Sequence, residues 1–228
     1  MASWMIHLRV AQAILDKQSM LSPLHFIMGN LAPDSGVPAP DGEGFIPDKH
    51  ISHFSYTDDL GKMHIHPETF AGQYLSFPQE DIQAYSFYLG YYAHLVTDRQ
   101  WIEDIYSLGI AAFPALHQRD KRTFAATIKT DWYDMDYLFL REHPDFPAWI
   151  SYRDAPPFVN SYVDFFSADA FEARKGFIID FYRRGVAEYV ERKTHLSEED
   201  LVAFVNATAE QVLGALCEGL DACRNSRV

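Results

Sequence analysis

Apolar residues recur every three or four positions along most of the chain, and no stretch alternates with a period of two, so the pattern predicts helices rather than strands. The first helix covers 3–16, where Trp4, His7, Ala11, Ile14 and Leu15 form one stripe and Ser3 is placed to cap it. A second, short helix runs from Leu21 to Leu31 and is ended by Asn30, Pro33 and Gly36. Between Ala32 and Pro47, four prolines and three glycines rule out a helix, and so long a loop in a compact domain is uncommon unless it is functional or disordered. Pro67 to Tyr74 reads as a short helix. The main helix follows, from about Pro78 to Ile105, with Glu80 and Asp81 in its acidic first turn. Helical period returns over 119–141, lapses over 143–158 with its four prolines, and resumes over 168–192 and 197–222, the last opened by Ser197 with Glu199 and Asp200. The expected architecture is all-α, a packed multi-helix bundle of about six to nine helices.

Composition narrows this further. Hydrophobic residues make up 48% of 228, with 17 Phe, 13 Tyr and 4 Trp, enough for one sizeable core, so 1–228 is read as a single domain. A formal net charge of −13 argues against a nucleic-acid scaffold, and basic residues do not run together with aromatic ones. The acidic balance weighs less against an enzyme that cleaves phosphodiesters, because bound metal ions would supply the cations locally. Cys217 and Cys223 lack any CxxC spacing, so no disulfide framework or thiolate metal site is expected. The N-terminal stretch lacks a basic region followed by an unbroken apolar run, and no segment reaches the roughly 18 apolar residues that span a bilayer. The expected location is cytoplasmic, without a transmembrane segment.

Candidate chemistry centres on His94 and Asp98. Their spacing of four puts an imidazole and a carboxylate on one face of the main helix, set among Phe87, Leu89, Tyr91, Leu95 and Trp101. Such a pair either offers two metal ligands or simply hydrogen-bonds, the carboxylate fixing the imidazole tautomer. His7 lies on the inward stripe of the first helix, while Asp34 and His53 flank the proline-rich loop. Imidazole nitrogen and carboxylate oxygen together suit zinc, and carboxylates can bridge two ions. His50 is the alternative to His53. His64 and His66, beside Asp58, Asp59 and Lys62, read as exposed loop, and His25, His117, His143 and His195 as structural or surface residues. Asp131 and Asp134, three apart on one helix face, are either further ligands or partners of basic side chains.

The order of these residues resembles the zinc-dependent phospholipase C family, whose fold is shared with the zinc nucleases that attack single strands. The likeness rests on an early His on the first helix, GNLAPDSG, a His shortly after the loop, and YLGYYAHLVTD, and it covers the chain as far as Trp101. It implies that His7, Asp34, His53, His94 and Asp98 bind zinc, that Asp98 bridges two ions, and that Asp34 also orients the attacking water. The resemblance departs in two places. Secreted family members ligate metal through a processed N-terminal Trp, whereas Trp4 here follows Met1, Ala2 and Ser3. The third zinc site corresponds to Asp104, Asp131 and Asp134, so a third ion would have a carboxylate shell or be absent. An oxygen-rich site also admits iron, manganese or magnesium.

The expected function is therefore metal-dependent hydrolysis of a small-molecule or lipid phosphodiester by metal-activated water. The alternative is a helical metal-binding or partner-binding protein that keeps the fold without the reaction. GxSxG, P-loop and HExxH motifs and adjacent His-Asp pairs are all missing, so acyl-hydrolase, nucleotide-binding, zinc-protease and His-Asp hydrolase readings have no starting point.

Overall fold

The structure, a computed structural model, describes residues 1–228 except 42, 60, 76–80, 191–194 and 226–228, and the side chains of the last helix only as far as Ala215. Pro78 and Glu80, expected to open the main helix, Arg192, expected to close a later one, and the side chains of Cys217 and Cys223 lie outside the described residues.

The fold is mostly helical. The first helix, α1 (Trp4–Leu15), is capped by Ser3, whose Oγ accepts the Ile6 amide. Next comes α2 (Pro23–Leu31), with proline at its first turn where the missing N–H costs nothing. The main helix is α5 (Ile82–Glu103), and Asp81 caps it by accepting the Gln83 amide. Between them lie the short helices α3 (Lys49–Ser52) and α4 (Pro67–Tyr74). Then follow α6 (Ile105–Ala112), α7 (Pro114–Arg119), α8 (Lys121–Glu142), α9 (Pro147–Arg153), α10 (Ala170–Glu188) and α11 (Glu198–Asn225). Among the described residues, no helix is long and apolar enough to cross a membrane.

Two features depart from the expected pattern. The long loop and the segment after it contain two antiparallel hairpins, β1 (Val37–Pro38) with β2 (Phe45–Ile46) and β3 (Ser55–Thr57) with β4 (Met63–Ile65). Strands of two or three residues are too short for an alternation to register. The helices α3, α6, α7 and α9 also exceed the expected set, because one or two turns give too few repeats of the helical period. In α9, Pro147 occupies the first turn and starts the helix that a count of prolines argued against.

The site is positioned chiefly by the packing of α2 on α5. A methyl group on Gly29 would lie 2.0 Å from the Phe87 carbonyl oxygen, and one on Gly90 would lie 2.0 Å from that of Phe26. Only hydrogen at both positions lets the two backbones approach this closely. Asn30 accordingly donates from Nδ2 to the Gly90 carbonyl at 3.3 Å. Helix α1 packs against α2, α5, α9 and α11 and is buried nearly all round, from Met5 to Ala11. Arg9 in that run meets Glu198 of α11 through two hydrogen bonds, at 3.3 and 2.5 Å, and lies 4.3 Å from the Phe139 ring. Asp136 of α8 accepts the Ser3 hydroxyl and the Tyr182 hydroxyl, each at 2.8 Å, while Tyr182 accepts the Met5 amide. The start of α1 is thereby tied to α8 and α10, which fixes the direction in which His7 points.

Candidate metal centre

Four elements bring the five expected ligands together. His7 comes from α1, Asp34 from the 3-10 turn Ala32–Asp34 that follows α2, His53 from the C-terminus of α3, and His94 with Asp98 from α5. His7, His53, His94 and Asp98 are buried, and the Asp34 side chain is 10% exposed. Among the described residues, two overlapping groups could hold a metal ion: His7, His94 and Asp98, and Asp34, His53 and His94.

The geometry separates ligation from ordinary hydrogen bonding. Nε2 of His7 lies 3.4 Å from Oδ1 of Asp98, and Nε2 of His94 lies 3.4 Å from its Oδ2. Nε2 of His53 lies 3.5 Å from Oδ1 of Asp34 and 3.6 Å from Oδ2 of Asp98. These gaps exceed the roughly 2.7–3.2 Å of an N–H···O hydrogen bond. Nε2 of His7, His53 and His94 and Oδ2 of Asp98 are all buried with no hydrogen-bond partner. Buried polar atoms are nearly always paired, so four unpaired atoms converging on one space indicate something these residues hold in common. The reading of His94 and Asp98 as a simple hydrogen-bonded pair does not fit this arrangement.

The far sides of two of the three rings are anchored. His94 Nδ1 lies 2.8 Å from the Asn30 carbonyl oxygen, to which only a protonated nitrogen can donate, so in the neutral ring Nε2 carries the lone pair. His53 Nδ1 lies 2.9 Å from the Ser52 hydroxyl, and Tyr91 donates to the Ser52 carbonyl at 2.5 Å. The His7 ring stacks on His94 with centroids 3.8 Å apart. Asp98 also accepts the Ala2 amide through Oδ1 at 2.6 Å, so its two oxygens face different partners.

Electrostatics keep the set ready for a cation. Burial, reinforced by the charge of His94, lowers the pKa of His7 to about 4. Burial also lowers that of His53, although the nearby Asp34 opposes the shift. Burial acts against ionised Asp34 and Asp98, but the imidazoles around them prevail and hold both carboxyls below their ordinary range. For His94 the effect of burial is outweighed by Asp98, Asp34 and the Asn30 carbonyl, and its pKa is raised. At neutral pH the cluster therefore offers two ionised carboxylates and neutral His7 and His53.

The other expected ligands are elsewhere. Asp131 binds the amide and Nδ1 of His195, and neither Asp131 nor buried Asp134 belongs to either metal-capable group among the described residues. Farther along α8, Asp136 likewise meets other partners, the hydroxyls of Ser3 and Tyr182. Asp104 caps α5 and accepts Gln100 Nε2 at 3.0 Å. His50 is exposed and contacts Ser55, while His64 pairs with Asp58 at 2.9 Å. His66 stacks on Tyr56. Asn30, expected as a turn residue, is fully buried in α2 and orients His94 through its main-chain carbonyl. Its one visible signal is a polar residue at the end of an apolar run.

A cavity of about 570 Å³ adjoins the cluster, and Asp34 is the one expected ligand among the five that lines it. Asp34 is thus the cluster residue open to this cavity. No protein-family model, curated protein or solved structure matches the chain.

Proposed function

We propose that the protein is a metal-dependent hydrolase of phosphodiester or phospholipid bonds, with zinc held by His7, Asp34, His53, His94 and Asp98. The observation that carries this reading is the set of four buried, unpartnered ligand atoms separated by 3.4 to 3.6 Å from their neighbours in the cluster. Ligand atoms on a tetrahedral ion with bonds of about 2.0–2.2 Å lie roughly 3.3–3.6 Å apart, which these gaps match. An octahedral shell of the magnesium type, with bonds near 2.0–2.1 Å, would draw adjacent ligands to roughly 2.8–3.0 Å. The order of ligands along the chain, which resembles that of the zinc-dependent phospholipase C family, supports the same reading.

Each residue has a part in it. His7 approaches one oxygen of Asp98 while His53 and His94 approach the other, so this carboxylate would offer both its oxygens to metal. Zinc, when bound, supplies Lewis acidity that polarises a phosphoryl oxygen and eases the deprotonation of water. Asp34, ionised and facing the cavity, accepts a hydrogen bond from the attacking water and orients it. The Asn30 carbonyl and Ser52 hydroxyl hold His94 and His53 in the orientations that ligation requires.

Metal content after purification without a histidine tag, followed by hydrolysis of bis(4-nitrophenyl) phosphate, tests the proposal. The expected result is retained zinc and turnover that His94→Ala abolishes. A chain that takes up no metal from zinc-containing buffer would sink it.

A further inference from the structure

The metal ligands leave one feature of the cavity unused. Three cations from widely separated parts of the chain line it: Lys49 at the start of α3, Lys129 on α8 and Arg174 on α10. Among the described residues none of the three makes an ion pair, although the chain has 32 acidic residues to 19 basic ones. Arg9, Lys17, Arg99, Arg153, Lys175 and Arg183 each hold a carboxylate instead. Two of the three, Arg174 and Lys49, rest on aromatic rings. The Arg174 guanidinium carbon lies 5.0 Å from the Trp4 ring and 4.8 Å from that of Phe177, and its buried Nε has no acceptor. The Lys49 ammonium lies 4.8 Å from the Phe45 ring. An aromatic face positions a cation without neutralising it, so positive charge is left to act on whatever enters the cavity.

We propose that Lys49, Lys129 and Arg174 form an anion subsite beside Asp34, and that the substrate is a phosphate ester carrying a second negative group. The word substrate rests on the hydrolase reading; the anion subsite itself does not. A protein of this net charge repels anions at long range, so binding one requires uncompensated cations close to the site. Guanidinium and ammonium groups supply them as charge-assisted donors to phosphate oxygens. A quaternary ammonium end group, as in a phosphocholine ester, would meet three like charges there against the one carboxylate of Asp34.

Isothermal titration of the full chain at about 0.15 M salt, where exposed charges are screened beyond roughly 8 Å, tests this with two probes, pyrophosphate and phosphocholine. Each is titrated into protein stripped of metal by chelator and into protein reloaded with zinc and freed of excess. Pyrophosphate should bind the stripped chain, and Lys129→Met and Arg174→Met should each weaken it roughly tenfold, the loss of one charge-assisted contact. Phosphocholine should bind at least about tenfold more weakly than pyrophosphate on the same grounds. Thermal melts of both variants check that they are folded, and Lys129, being exposed, is the variant least able to disturb packing. Absence of pyrophosphate binding to the stripped chain, or binding unchanged by both substitutions, overturns the subsite. Zinc uptake and diester hydrolysis with no such anion binding would leave the hydrolase reading standing without it. Anion binding without zinc uptake would do the reverse.

Discussion

Asp98→Asn isolates the metal site from the fold, because it exchanges one ligand oxygen for an amide nitrogen at constant shape. In the metal-free protein, Nε2 of His7, His53 and His94 and Oδ2 of Asp98 are buried without partners. At about 1–3 kcal/mol for each unsatisfied buried group, they together cost roughly 4–12 kcal/mol that bound metal would relieve. The amount seen in a melt is set by ligand concentration: zinc at 100 times its Kd stabilises the folded state by about 2.7 kcal/mol. For a chain of this size each kcal/mol moves the midpoint by roughly 2–4 °C, so zinc should raise Tm by about 5–11 °C. Asp98→Asn should lose most of that rise. Without metal it should be less stable than the parent at neutral pH, since the fold favours the ionised carboxylate, while the Asn oxygen still accepts the Ala2 amide. Differential scanning calorimetry of chelator-treated protein, with and without zinc and alongside elemental analysis, measures both effects. An equal zinc-induced rise in parent and variant would place the metal elsewhere and refute the reasoning.

Three further outcomes follow from neighbouring contacts. Gly90→Ala would place a methyl 2.0 Å from the Phe26 carbonyl oxygen and 2.8 Å from the Asn30 amide nitrogen, forcing α2 away from α5. Urea unfolding should show a loss of about 1–3 kcal/mol or more, with weaker zinc binding, and an unchanged midpoint would contradict the close packing. Ser52→Ala removes the hydroxyl beside His53 Nδ1 and should lower zinc affinity by roughly 10–100-fold, as measured by chelator competition, with a loss of about 1–3 kcal/mol in metal-free stability from the buried nitrogen left unpaired. Burial pushes the Asp136 carboxyl up to about 7, against the opposing effects of Ser3, Tyr182 and Arg9. The folded state thus binds this proton more tightly than the unfolded chain, so the contribution to stability is complete below about pH 4 and is lost as pH rises through 7. A shift of about 3 units corresponds to roughly 4 kcal/mol, so Asp136→Asn should gain on the parent by up to that amount between pH 4 and 8. Parallel stability profiles would show that Asp136 ionises freely in the fold.

The sequence by itself determined the long helices, because each buries a continuous apolar stripe and the helical period displays it over several turns. It also marked the start of the first at Ser3, where a short polar side chain satisfies a free amide, whereas Asp81, expected inside a first turn opened near Pro78, is itself the cap of α5. It nominated His7, Asp34, His53, His94 and Asp98, since a ligand must be an imidazole or carboxylate placed where a helix face or a bent loop turns inward. Its limit is visible at Asp131, Asp134 and Asp136. Periodicity tells which residues share a face of α8 but not which neighbour that face meets, and the structure gives Asp131 to His195 and Asp136 to Ser3 and Tyr182. The closeness of α2 to α5 was equally hidden, because Gly29 and Gly90 matter only through the backbone each one faces. Only the tertiary structure set Lys49, Lys129 and Arg174 around one cavity, for their nearness depends on how three separate elements pack and leaves no trace in local spacing.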